Sequence, residues 1–390
     1  MPTTAVVLGT GMVGSVIAAD LAKTRGYKVH AYDASEASLE RCEHANIANG
    51  GRATALKTEE ADLSDPAVIA KLVKDADIVV GALPSRYGFM ALETVINAKK
   101  NYCDISFMSE DAIELTAFAK KKGVTAVVDM GIAPGMTNLL AGYACEHLDT
   151  VERIEILVGG LPVHRRWPYE YKAGFSPNDV LEEYTRPSRI VENGKIVIRE
   201  ALTEPELIEF PRIGTLEAFN TDGLRSLATT LDVPNMIEKT MRYPGHIELM
   251  RVLRETGLFS LEEIELKDGT RVKPRDVMAH LLFPKWTYDD MEPDLTVMRV
   301  TAEGIHSKVP TRLTWDLLDY LDPETGFTSM SRTTAFPATA MARMIARGDF
   351  KARGVIPPEF LVKKKSVVDQ LMADLSKRGI EFTARVESRE

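Results

Sequence analysis

A chain of 390 residues is longer than one ordinary hydrophobic core supports, so two domains are expected. Hydrophobic and charged fractions of 45% and 27% exclude a disordered chain. A net charge of −9 excludes nucleic acid as the expected partner, because such partners need lysine and arginine to neutralise phosphates.

Ala5-Val6-Val7-Leu8 is apolar without alternation, as in a parallel strand buried on both faces. A glycine loop follows, Gly9-Thr10-Gly11-Met12-Val13-Gly14, and then Val16, Ile17, Leu21 and Ala22 recur at helical spacing up to Gly26. Residues 29–33 predict a second strand, closed by Asp33. The alternation continues with helices over roughly 36–45, 67–74, 90–99 and 111–122 and strands near 53–56, 77–80, 102–105 and 125–128. Strands alternating with helices of this length imply right-handed crossovers and an α/β domain with a doubly wound parallel sheet.

After Asp129 the character changes. Pro134-Gly135 breaks the chain, a helix is expected near 138–147, and residues 151–160 predict a strand. From there to about residue 321, strands are expected between long polar, proline-containing loops rather than regular helices, in segments such as 187–197, 264–272 and 296–303. That pattern suggests a second domain with a mixed or antiparallel sheet, where substrate shape is set. Residues 335–347 predict an amphipathic helix. No apolar run reaches the roughly 20 residues of a membrane span, and the N-terminus lacks the basic start of a signal peptide. Cys42, Cys103 and Cys145 have no metal-type spacing and suit a reducing compartment. A cytoplasmic chain is expected, with no metal and with neither membrane nor nucleic acid as partner.

The glycine loop sits in the context that gives it meaning: a strand before it, a helix after it, and an acid about 20 positions on. Gly9 permits the tight turn, Gly11 lets the backbone approach a pyrophosphate, and Gly14 lets helix and strand pack closely. The helix N-terminus around Met12 and Val13 offers unpaired N–H groups to phosphate. Asp33 is placed for the adenosine ribose hydroxyls, and its charge, with no arginine adjoining, favours NAD over NADP. By position, Asp62 and Leu63 after the third strand, and Ala82, Leu83 and Pro84 after the fourth, belong to the same cofactor site.

Hydride transfer needs positioning, a group that manages a proton, and groups that hold the substrate. Asp104 and Asp129 end consecutive strands at the carboxyl edge, although each could instead cap a helix. Arg242-Tyr243-Pro244-Gly245-His246 places a guanidinium, a phenol and an imidazole around a turn, and Arg332-Thr333-Thr334 opens the last long helix. His246, Asp104 and Asp129 are the candidate proton acceptors, with His246 first. Arg242, Tyr243, Arg332 and Thr333 are the candidates for holding a substrate carboxylate.

With these residues in place, the chain resembles the saccharopine dehydrogenase-like oxidoreductases, and among them most closely the lysine 6-dehydrogenases. The resemblance is carried by residues 127–136 (VVDMGIAPGM), 158–162 (VGGLP), 214–219 (GTLEAF), 239–246 (KTMRYPGH), 271–277 (RVKPRDV), 331–335 (SRTTA) and 353–359 (RGVIPPE). It implies an N-terminal Rossmann domain over residues 1–131 and a second α/β domain with a mixed sheet over 132–331, for substrate binding and oligomerisation. Residues 332–390 would be C-terminal helices returning to the Rossmann side. It further implies NAD-dependent oxidative deamination of the terminal amine of a basic amino acid, with L-lysine first, in a homodimer or homotetramer. Two stretches, His164-Arg165-Arg166-Trp167 and Asp222-Gly223-Leu224-Arg225, depart from the family pattern near the expected pocket. A saccharopine or carboxynorspermidine-type enzyme acting on a secondary amine stays open, with Arg165 or Arg225 serving a second carboxylate. A non-catalytic NAD-binding regulator is the reading from another class.

Overall fold

The computed structural model describes residues 2–388, and two sheets organise it. The first has seven parallel strands in the spatial order Gly354–Ile356, Thr125–Val127, Tyr102–Asp104, Ile78–Gly81, Thr3–Leu8, Tyr27–Asp33 and Leu56–Glu60. The chain order reverses between Thr3–Leu8 and Ile78–Gly81, so the crevice of this Rossmann sheet opens where Gly9 and Ala82 leave their strands. Central strands such as Ala5-Val6-Val7-Leu8 are buried throughout, which is why they read as unbroken apolar runs. The third strand lies at Leu56–Glu60, beyond the expected 53–56. It pairs on one side only, and its polar residues Lys57-Thr58-Glu59-Glu60 carry no apolar signal.

The second sheet has nine strands. Its main path runs Glu206–Phe210, Gly214–Asn220, Asn235–Arg242, Thr150–Pro162, Asp294–His306, Val309–Tyr320 and Thr383–Ser388, with the hairpin Ser188–Glu192 and Lys195–Arg199 attached beside Asn235–Arg242. Asn235–Arg242 and Thr150–Pro162 pair in parallel and the other neighbours antiparallel, as a mixed sheet requires. Three regular helices lie where only polar loops were expected: Pro177–Thr185, His246–Glu255 and Pro274–Trp286. Pro177–Thr185 is short and His246–Glu255 carries few inward apolar residues, whereas Pro274–Trp286 buries Met278, Leu282 and Trp286 at helical spacing, a pattern missed in the sequence. On His246–Glu255 only His246, Ile247 and Met250 are buried, among the charges of Glu248, Arg251, Arg254 and Glu255.

The C-terminal segment returns to the first domain, but not as helices alone. The helix Ser329–Arg347 begins six residues earlier than expected, with the Thr328 hydroxyl accepting from the Ser331 N–H and the Asp294 carboxylate accepting from the N–H groups of Ser329 and Met330. It packs on the helix Met12–Lys23 and over the strands Ile78–Gly81 and Tyr102–Asp104. Asp20 locks that contact: it takes Arg343 at 2.8 Å, Arg378 at 3.2 Å and the Thr339 hydroxyl at 2.5 Å. Gly354–Ile356 then completes the parallel sheet beside Thr125–Val127, while Thr383–Ser388 joins the mixed sheet beside Val309–Tyr320. No helix among the described residues is long and apolar enough to cross a membrane.

Candidate functional site

A cleft of about 660 Å³ runs from the glycine loop to the face of the second sheet. Its first half is the expected dinucleotide cradle, and Gly9, Gly11, Met12, Val13, Gly14, Asp33, Asp62, Leu63, Ala82, Leu83 and Pro84 all line it. Gly9 adopts φ +93°, and a Cβ there would meet the Ala82 carbonyl oxygen at 2.5 Å. A Cβ on Gly14 would lie 2.0 Å from the Gly9 carbonyl oxygen, so both glycines are required by backbone packing. Gly11 faces open space. It precedes the helix Met12–Lys23, whose N-terminus has no side-chain cap and no acid in its first turn. Free N–H groups at an uncapped, positive helix end fit a pyrophosphate. The Asp33 carboxylate is held by the N–H groups of Thr10 at 2.7 Å and Ser35 at 2.9 Å, which leaves its remaining lone pairs for hydroxyl donors in the cleft. The family of donors and spaces present therefore fits a dinucleotide. Arg41 and Arg86 also line this half, and sequence reasoning had assigned a role to neither.

The second half is built by the mixed sheet and the helix Pro177–Thr185. Along Asn235–Arg242, Glu238, Thr240 and Arg242 share one face and line the cleft, while Lys239 pairs with Glu206 and Met241 enters a separate apolar cluster. Gly159 and Gly160 form part of the floor, where a Cβ on Gly160 would meet Met330. Arg242 is buried, stacked on the Tyr171 ring at 4.5 Å and bonded to Glu183 at 2.7 Å, with its Nε unpartnered. Asp179 accepts from the Ser85 N–H at 3.4 Å, tying the second domain to a Rossmann helix start. Burial pushes up the carboxyls of Asp179 and Glu183, and it pushes Glu238 up to about 8, with Glu183 and Asp222 adding repulsion. Asp179, Glu183, Thr221 and Glu238 were missed from the sequence. Alternation along residues 238–242 is the one signal that could have found part of this set.

Of the expected substrate and proton-handling residues, only Arg242 reaches the cleft wall. His246 starts a helix beneath it, with Nδ1 2.8 Å from the Tyr169 carbonyl oxygen and Nε2 2.9 Å from the Tyr184 hydroxyl. Both nitrogens are committed. Burial and then the Arg242 charge push its pKa down to about 3, so the ring is neutral and poorly able to take a proton. His246, expected as the first proton acceptor, is thus held by Tyr169 and Tyr184 and does not line the cleft. Asp104 lies behind Gly81, bonded by the hydroxyls of Tyr102 at 3.0 Å and Ser106 at 2.9 Å, and burial pushes it up to about 7. Asp129 pairs with Arg225 at 3.3 Å in a separate small cavity. Tyr243 donates to the Pro162 carbonyl at 2.9 Å, and the Thr333 hydroxyl to the Ser329 carbonyl at 2.8 Å. Arg332 turns toward Asp319 and the Arg378 carbonyl. The neighbour of Thr333, Thr334, lines the cleft instead, since one helical step rotates a side chain by about 100°.

A switch-point glycine loop, an acid closing the second strand and a cleft shared with a mixed-sheet domain define a dinucleotide-binding oxidoreductase. The chain belongs to the saccharopine dehydrogenase family. Residues 5–127 match the saccharopine dehydrogenase NADP binding domain and residues 131–380 the saccharopine dehydrogenase C-terminal domain. It is similar to a carboxynorspermidine synthase of Vibrio cholerae, 24% identical, with 91% of each chain covered. It is 23% identical to an alpha-aminoadipic semialdehyde synthase of Arabidopsis thaliana, covering 76% of this chain and only 36% of that longer protein. The apo saccharopine dehydrogenase (L-Glu forming) of Saccharomyces cerevisiae has the same fold, with a TM-score of 0.78 at 18% identity over 99% of this chain and 100% of that one.

Proposed function

We propose that the protein oxidises the terminal amine of a basic amino acid with NAD, L-lysine first, giving the ε-semialdehyde, ammonia and NADH. The observation that carries this reading is the row of carboxyls on the wall facing the cofactor cradle. Asp179, Glu183 and Glu238 line it beside Arg242, whose guanidinium is already bonded to Glu183. Such a wall suits a ligand with a cationic end and one carboxylate, the latter met by Arg242. A saccharopine-like ligand needs further cations. Arg225 is buried against Asp129 and Arg165 pairs with Glu170, so neither serves that purpose, and Arg86, which lines the cleft next to Ser85 at the Asp179 contact, is the cation such a ligand would have to use. NAD rather than NADP is proposed on the carboxylate of Asp33, which would repel a 2′-phosphate and so opposes the attraction of Arg41 in the same half of the cleft. A second reading is a reductive condensation that makes a carboxylated polyamine. It is supported by the name of the Vibrio cholerae relative and by the same acidic wall. The test follows NADH absorbance with lysine, ornithine, saccharopine and carboxynorspermidine as rival substrates. Turnover of lysine with release of ammonia is expected. Turnover of carboxynorspermidine alone would select the second reading, and release of glutamate from saccharopine would overturn both.

A further inference from the structure

Glu238 differs from the other acids of the wall in how it is held. The Thr221 hydroxyl donates to its Oε2 at 2.6 Å and lies 2.8 Å from the Thr240 hydroxyl, and the Gly223 N–H donates to the same oxygen at 3.0 Å. A Cβ on Gly223 would come within 2.3 Å of that carboxyl, so the loop is closed onto it. Charged groups around it come from three elements. Arg242 on its own strand is bonded to Glu183 of the helix Pro177–Thr185, and Asp222 of the adjoining loop is bonded by Arg189 at 2.8 Å. No guanidinium or ammonium among the described residues pairs with Glu238 itself. Thr221, Gly223, Glu238 and Thr240 all border the cleft.

We propose that Glu238 is the proton acceptor for the substrate's ammonium group, with Thr221 and Thr240 as positioning residues that aim its carboxyl into the cleft. This rests on the amine-oxidising reading above. An amine with a pKa of about 10.4 is almost wholly protonated at neutrality, and an ordinary carboxylate near 4 is too weak a base to accept its proton. Glu238, pushed up to about 8, closes most of that gap. The ammonium N–H bond breaks and its proton passes to the carboxylate. The freed lone pair then forms C=N as the adjacent C–H bond breaks. NAD, which the glycine loop and Asp33 would hold, would supply the acceptor for the hydride and its electron pair. Water adds to the iminium carbon and ammonia departs.

The experiment compares wild type, Glu238→Gln and Thr221→Val, using whichever amine of the panel the wild type oxidises. NAD affinity is measured on each variant to show that it is folded. Glu238→Gln is expected to lose at least about 100-fold in kcat/KM, together with the alkaline-rising limb of the pH profile, while NAD affinity is unchanged. Thr221→Val is expected to keep the limb but displace it. Calorimetry of L-lysine binding to the NADH complex near pH 7, in two buffers of different ionisation enthalpy, should show about one proton released by the wild type and none by Glu238→Gln. A Glu238→Gln enzyme within fivefold of wild type with its limb intact overturns the proposal, as does lysine binding without proton release. Failure of lysine with success of another amine sinks the substrate reading alone, because the two variants then decide on that amine. A wild type that oxidises no amine and binds no lysine overturns both.

Discussion

Gly9 and Gly11 stand two residues apart in one loop and do different work. At φ +93° and 2.5 Å from the Ala82 carbonyl oxygen, a methyl at position 9 strains the backbone whatever occupies the cleft. At position 11 the backbone angle is −60° and the space is open, so a methyl meets only an arriving pyrophosphate. Gly9→Ala should lower both Tm and NAD affinity, whereas Gly11→Ala should lower affinity with Tm nearly unchanged, as thermal melts and fluorescence titration can show. Asp33→Ala should erode a preference for NAD over NADP that we place above tenfold in kcat/KM, or about 1.4 kcal/mol. Equal use of the two cofactors by the unaltered enzyme would contradict it. Arg242→Ala leaves Glu183 buried without its cation and should raise the KM for the amine while sparing NAD affinity. All eleven cofactor residues expected from the sequence line the cleft, because the glycine loop is a contiguous motif and the other six close or follow strands of the same parallel sheet, whose carboxyl ends share one edge. The amine end is assembled from separate strands and a helix that single residues do not announce, so His246, Asp104 and Asp129 were attractive for their chemistry and are placed elsewhere by packing.

Among the elements, the contact between the helices Met12–Lys23 and Ser329–Arg347 is the one most exposed to a single change. Asp20 is buried there with Arg343 and Arg378, and among the described residues those two cations have only Asp374 besides it as an acidic partner. The attraction of Arg343 and Arg378 outweighs burial and holds the Asp20 carboxyl below its ordinary range. Asp20→Ala leaves buried guanidinium charge under-compensated and should cost about 3–5 kcal/mol, read as a loss of Tm or of denaturation midpoint. Asp20→Asn, which keeps the shape, should cost less. Elements buried on both faces were legible as apolar runs, and so was the glycine-loop helix. Leu56–Glu60 was displaced because an edge strand need not be apolar, and His246–Glu255 was hidden because it buries only three residues.

The molecule as a whole carries several carboxyls that folding forces to hold protons. Burial pushes Asp104 and Glu359 up to about 7, Glu238 to about 8, and Asp294 and Asp319 to about 6. Each has a folded pKa above its unfolded value of about 4, so the native state binds more protons than the unfolded state between those limits. Their contribution is fully present below about pH 4 and is lost as pH rises through 6 to 8. Tm without ligand should therefore be several degrees higher near about pH 5.5 than near about pH 8.5. Glu238→Gln should flatten the upper part of that slope. Stability that rises steadily with pH across the range would contradict these burial effects.

The return of Gly354–Ile356 and Ser329–Arg347 to the first sheet has a consequence for synthesis on the ribosome. When residues 1–131 have emerged, Thr125–Val127 is an open parallel edge, and the apolar face later covered by Ser329–Arg347 is bare. The missing pieces lie about 200 residues further on, a delay on the order of 10 to 50 s at ordinary elongation rates. The nascent first domain thus waits unfinished while the second is made, a window in which holdase chaperones can engage it. Expressed alone, residues 1–131 should be retained by chaperones or aggregate, and co-expression of a second fragment spanning residues 329–388 should raise their recovery in the supernatant. A fragment 1–131 that is monomeric, melts cooperatively and binds NAD as tightly as the whole chain would show that the C-terminal segment is not needed to finish it.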